Sequence, residues 1–277
     1  MPKFCTNIKY CFSSHGNCDI LSSLKDLTCW PSSQSTDEFH AMTTLAVLQP
    51  GYLPWLGFFD LLHRCDLFVI YDDVQFDKHG WRNRNRIRSA TGPLWLTVPV
   101  RHKGLGKPLI LDIEIDPNTQ WVKKHLGTLE QFYAKAPYVD HYLPEFKEAL
   151  SRPWRMLVDM DLTMIQLMCY WLGLQRTVYR SSELHIGGER SERLLRLCQH
   201  FSADRYLSGN AAKAYLNEAL FAQHNVVVEW QNYQHPIYPQ LHGNFIPYLS
   251  AMDLLFNVGP QSLSILTSSP HRVHTTQ

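Results

Sequence analysis

The stretch Thr43-Thr44-Leu45-Ala46-Val47-Leu48-Gln49-Pro50-Gly51-Tyr52-Leu53-Pro54-Trp55-Leu56-Gly57-Phe58-Phe59-Asp60, followed by Leu67-Phe68-Val69-Ile70-Tyr71-Asp72-Asp73, decides the fold. Thr43–Leu48 is short and apolar and runs into Gln-Pro-Gly, so it reads as a strand stopped by a turn. Pro54 stands where a helix can begin, because its missing N–H falls among donors that lack an intrahelical partner anyway. Trp55–Arg64 carries an apolar helical pattern. Leu67–Tyr71 has no polar alternation, as a strand buried on both faces requires. Strand, short helix and buried strand predict a βαβ unit, hence an α/β fold on a parallel sheet with ligand sites outside the carboxyl ends of its strands.

Outward from this unit the chain changes character in steps. An inserted β-rich segment follows, with expected strands at Asn85–Arg88, Leu94–Val100 and Ile110–Ile115. A helical block comes next, over Trp121–Tyr133, Pro144–Leu150 and Val158–Trp171. A second α/β section has expected strands at Thr177–Arg180, Arg205–Leu207 and Val226–Trp230. Between them lie a helix to His200 capped by Ser191 and another over Asn210–His224, and a last helix spans Leu249–Phe256. Residues 1–41 hold no period beyond one turn. Because Met42 directly precedes the first strand, they read as a disordered or non-native extension, with the domain at 42–267 and a frayed tail at 268–277.

The chain has 277 residues, 45% of them hydrophobic and 18% charged, which supports a sizeable core and excludes global disorder. Its net charge of +1 offers no overall field for a polyanion, so nucleic acid is not an expected partner and any anion site is local. The longest apolar run, Leu162–Leu174, falls short of the roughly twenty residues a spanning helix needs. Of seven cysteines, none forms a C-x-x-C pair, and Cys65, Cys169 and Cys198 sit singly among apolar residues, which points to a reducing, cytoplasmic setting. The fourteen histidines show neither H-x-x-x-H nor H-E-x-x-H spacing, so no metal is expected, and no cofactor is indicated.

The strongest chemical signal is Lys78-His79-Gly80-Trp81-Arg82-Asn83-Arg84-Asn85-Arg86-Ile87-Arg88. From Lys78 to Lys107 there are eight Lys or Arg and no acid. Extended backbone would put Arg82, Arg84 and Arg86 on one side, a fork array suited to phosphate or carboxylate, with Asn83 and Asn85 between them. A solvated basic edge strand is the alternative. Three strand ends, Gln49 to Tyr52 with Trp55 beyond, Asp72-Asp73, and Ser208-Gly209-Asn210, should meet along one sheet edge and form a cleft. Ser208 and Asn210 could cap the next helix and present an anion site, or serve only as cap and turn. Asp72, Asp73 and His79 are the candidate proton-transfer residues; at most one of the adjacent acids should face the cleft. His235 and His242 bracket a turn-rich, aromatic segment containing Gln240, readable as a pocket wall or as a plain loop.

Together, Gln49–Asp60, Tyr71–Phe76, Trp81–Ile87, Trp95–Val100, Tyr206–Gly209 and Leu249–Asn257 resemble the WbqC-like family of bacterial proteins, from about Met42 to Gly259. The resemblance implies a setting in surface polysaccharide, O-antigen or lipopolysaccharide biosynthesis. It suggests a transferase or ligase joining an acyl or aminoacyl group to an amino sugar, with a phosphorylated or carboxylated small molecule such as a nucleotide sugar as ligand; a non-catalytic binding or scaffold protein is the alternative. More distantly, the first strand, loop and helix resemble nucleotidyltransferase-like (HUP-type) folds. Trp55, Gly57 and Phe58 stand where those folds carry H-x-G-H, so both histidines are missing and the usual adenylyl transfer is in doubt.

Overall fold

The computed structural model describes residues 42–101, 104 and 106–268; the expectations for 1–41 and for the tail beyond Ser268 fall outside the described residues. In chain order come β1 (Thr44–Leu48), α1 (Leu56–Arg64), β2 (Leu67–Ile70), β3 (Arg84–Ser89), β4 (Gly92–Thr97), β5 (Val100–Arg101), β6 (Glu114–Ile115), α2 (Trp121–Tyr133), α3 (Val139–Leu150) and α4 (Leu157–Leu172). The second part holds β7 (Thr177–Arg180), α5 (Ser181–Leu184), α6 (Arg190–His200), β8 (Arg205–Ser208), α7 (Glu218–Ala222), β9 (Val227–Trp230), α8 (Ala251–Val258) and α9 (Ser262–Thr267).

Five strands form one all-parallel sheet in the order β7-β2-β1-β8-β9. Numbered by appearance along the chain, that order is 3-2-1-4-5. The winding reverses between β1 and β8, whose carboxyl ends flank the crevice where doubly wound sheets take ligands. Alternation along the strands sorts the core into two. Ala46, Phe68, Ile70 and Leu207 belong to a large cluster with α1, α3, α4 and α8, whereas Leu45, Val47, Val69 and Tyr206 pack with Leu194, Leu195 and Cys198 of α6 and Phe221 of α7. Both faces are therefore covered, which is why these strands read as unbroken apolar runs.

The chain from Tyr71 to Arg176 separates β2 from β7 and holds the β3–β4 hairpin, the β5–β6 pair and α2–α4. Several expected boundaries move for local reasons. The expected strand Leu94–Val100 breaks at Val98-Pro99, since Pro99 has no N–H for a ladder and its carbonyl instead accepts from Asp116 N at 2.9 Å. Ile110–Asp112 is a 3₁₀ turn before β6. Helix α3 begins at Val139, five residues before its interior Pro144. The expected helix over Asn210–His224 is split into a 3₁₀ turn, Asn210–Ala214, and α7, because Asn217 restarts the helix by accepting Leu220 N on Oδ1 at 3.2 Å. Ser191 lies inside α6 rather than capping it, and its Oγ accepts Asn217 N at 2.9 Å. Among the described residues no helix is long and apolar enough to cross a membrane. Cys65, Cys169 and Cys198 are buried, and burial pushes the Cys65 and Cys198 thiols up to about 12.

Candidate functional site

The turn after β1 is fastened to the basic run itself, at Arg82 and at Asn85 of β3. Tyr52 N donates to Arg82 O at 2.9 Å, Arg82 Nη1 donates to Pro50 O at 2.7 Å, and Asn85 Nδ2 donates to Leu53 O at 2.7 Å. Gly51 is required here by close approach, since a Cβ would meet the Trp81 carbonyl oxygen at 2.7 Å. Asn83 turns inward to Val98 O at 2.8 Å. The Arg-Asn alternation thus works as extended backbone dictates, with buried asparagines and outward arginines. Arg82 and Arg88 are the exceptions: Arg82 precedes β3 and its guanidinium enters the β1 turn, while Arg88 is buried and donates to Leu241 O and Asn244 O, each at 3.2 Å.

Arg84 and Arg86 share a face with two indoles. Trp81 and Trp95 lie 5.0 Å apart and remain 41% and 43% exposed, far more than buried core tryptophans would be. The Arg84 guanidinium lies 4.6 Å from the Trp95 ring centre, and that of Arg86 lies 5.3 Å from Trp81 and 5.7 Å from Trp95. Carbonyls brace them: Arg84 Nε donates to Gly80 O at 3.2 Å and Nη2 to His79 O, while Arg86 Nη2 donates to Tyr248 O at 3.2 Å. Planar cations held against exposed rings are preorganised, so an arriving anion need not order them. His79 itself is exposed.

At the end of β2, Asp72 is fully buried and saturated. Arg180 Nε reaches its Oδ2 at 2.7 Å, Ser182 Oγ the same oxygen at 2.9 Å, and Ser182 N and Ser181 Oγ reach Oδ1 at 3.0 and 3.1 Å. Asp73 is half-buried, pairs with Arg193 and accepts from Ser181 Oγ at 2.6 Å. The Arg193 guanidinium lies 4.9 Å from the Tyr71 ring centre. Arg180, Ser181, Ser182 and Arg193 escaped the sequence reading; the Arg-Ser-Ser at the end of a strand was the available signal.

At the carboxyl ends of the neighbouring strands, Gln49 is half-buried after β1 and Ser208 is buried in β8. Neither Ser208 nor Asn210 caps the following 3₁₀ turn; Ser208 O accepts Gln231 N at 2.9 Å and Asn210 Oδ1 accepts Asn232 N at 3.3 Å. So short a turn has no macrodipole to offer an anion. Gly209 is partly exposed, and Lys213 reaches back over Trp230, 5.3 Å from its ring centre. Trp55 is the residue before α1, and its indole lies over the first turn: a Cβ on Gly57 would sit 2.2 Å from it. Gln240 binds Asp253 Oδ2 at 2.8 Å and both polar groups of Ile246, fastening the aromatic loop to α8.

Two buried titratable groups behind the β1 turn were not singled out from the sequence. The Tyr52 hydroxyl meets His125 Nδ1 at 3.0 Å, and burial lowers the imidazole to about 4 although its ring also bonds the Thr97 backbone. Asp161 on α4 is fully buried with both carboxylate oxygens unbonded; burial raises it well above the usual carboxylate range, opposed by the charge of Arg82.

The WbqC-like protein family model matches residues 49–265, from the first residue beyond β1 into α9. The chain belongs to the WbqC-like protein family. An uncharacterized protein of Mycobacterium tuberculosis (strain ATCC 25618 / H37Rv), Rv1507c, is 37% identical to this WbqC-like chain over 226 residues, covering 80% of this chain and 96% of the relative. No solved structure matches this chain. The family match takes in the β1 turn, the arginine–tryptophan face and the Asp72–Arg180 cluster together.

Proposed function

We propose that this WbqC-like protein is a cytoplasmic enzyme of bacterial polysaccharide or glycoconjugate precursor synthesis. It holds a phosphorylated amino sugar, such as a nucleotide sugar, and transfers an acyl or aminoacyl group to the sugar's amine from an activated donor, the amine losing a proton to a base as the donor's carrier leaves. The observation that carries the reading is the face of Arg84 and Arg86 braced against the exposed Trp81 and Trp95. Guanidinium forks take phosphate oxygens with two parallel N–H donors, and an adjacent indole gives a flat partner for a ring. Asp73, half-buried at a strand end, is the better candidate base, because Asp72 has its lone pairs committed to Arg180, Ser181 and Ser182.

The saturation of Asp72, and the pairing of Asp73 with Arg193, favour a second reading in which the protein binds the sugar nucleotide without turnover. Incubating the purified protein with a nucleotide-linked amino sugar and activated acyl or aminoacyl donors separates the two. Product heavier by the acyl group, formed by wild type and lost in Asp73→Asn, supports the enzyme. Saturable binding without any product supports the binding protein.

A further inference from the structure

Beside the arginine–tryptophan face lies a second feature, a groove of about 970 Å³ between β4 and α2. Among the described residues strand β4 pairs with β3 alone, so its other side is free to face the helix. On α2, Lys124, Gly127, Thr128 and Gln131 line the groove at helical spacing, and Trp95 and Thr97 line it from the strand. His125, held by Tyr52, also lines it and ties it to the β1 turn.

The chemistry of this lining is selective. It has two lysines, several hydroxyls and amides, the half-exposed indole of Trp95 with the buried one of Trp121, and no acidic residue. Gly127 leaves the helix side of the groove open. Glycine is a poor helix former, yet here it sits inside a thirteen-residue helix with nothing within 4 Å of where a Cβ would be. Arg84 lies over Trp95, and the exposed part of that indole borders the groove.

We propose that this groove binds the ring of an anionic sugar. The pyranose C–H face would lie on Trp95, ring hydroxyls would pair with Thr128 and Gln131, and the carboxylate or phosphate would meet Lys124. This deepens the reading above, resting on it only for the name of acceptor subsite; the groove's own preference for acidic sugars can be tested without it.

The full chain is titrated with glucuronic acid, glucose 6-phosphate, glucose and uridine diphosphate, following tryptophan fluorescence and ligand NMR. The two acidic sugars are expected to compete for one site, with glucose about tenfold weaker. Lys124→Ala should remove that preference, and Gly127→Trp should weaken the acidic sugars by about tenfold or more by filling the groove. Gly127→Ala should bind like wild type with a higher melting temperature, since the site has room for a methyl group. Uridine diphosphate reads the arginine face: if it fails to bind while the acidic sugars do, the phosphate reading falls and the groove stands. Absence of saturable binding of either acidic sugar overturns the groove, as does undiminished binding by a folded Gly127→Trp or an unchanged preference in Lys124→Ala.

Discussion

Asp161 and His125 pull the pH dependence of stability in opposite directions. For Asp161 the folded state keeps its proton to higher pH than the unfolded chain, so its contribution is full below about pH 4 and declines as pH rises through the raised folded value. His125 is depressed to about 4, so the unfolded chain takes up a proton that the folded one refuses. Its contribution is full above about pH 6.5 and is lost as pH falls toward 4. Denaturant unfolding between these limits should show Asp161→Asn gaining stability with pH more steeply than wild type and His125→Asn less steeply. Parallel curves for all three proteins would contradict the account. Neither residue could be picked from the sequence. Their burial is created by long-range packing, α4 against the sheet and α2 against the β1 turn, and a lone Asp or His in an amphipathic helix carries no sign of that.

At the scale of elements, the β1 turn and β3 behave as one piece, held by the Tyr52, Arg82 and Asn85 bonds and by the missing side chain at Gly51. Gly51→Ala should cost about 1–3 kcal/mol, because the obstructing atom is a backbone carbonyl. A melting temperature equal to wild type would show that this junction is loose. Asp72→Ala should cost about 1–3 kcal/mol in a melting experiment, because Ser182 N and the serine hydroxyls lose their buried acceptor while Arg180 keeps Asp159 and Glu183, and no loss would show that this junction does not tie β2 to β7. Periodicity made the βαβ unit legible nearly to the residue, since buried parallel strands leave an unbroken apolar run. It also made the shared side of Arg84 and Arg86 legible, but not the inward turn of Asn83 and Asn85, which the pattern had grouped with the binding arginines. It failed after Ser208, where a capping Asn217 outweighs a run of helix formers, and at Pro99, where one missing donor ends a strand. Arg82 was misplaced with Arg84 and Arg86 because the extended backbone starts only after it.

Across the whole molecule, the 3-2-1-4-5 sheet places the ends of β1 and β8 at the point where the winding reverses. The insertion between β2 and β7 brings the basic hairpin against the β1 turn. Against a net charge of only +1, one small face next to the sheet edge carries the two guanidiniums of Arg84 and Arg86. The account stands on that face being an anion site. Calorimetric titration of wild type, Arg84→Ala, Arg86→Ala and Arg86→Lys with a uridine diphosphate sugar tests it most directly. Each alanine is expected to lose roughly 1.5–3 kcal/mol of binding, about ten- to over a hundredfold. Lysine should recover only part of that, because a point charge cannot reproduce the planar fork. Melting temperatures should barely move. Binding that survives both alanine substitutions undiminished would contradict the account and leave the arginines as a solvated edge.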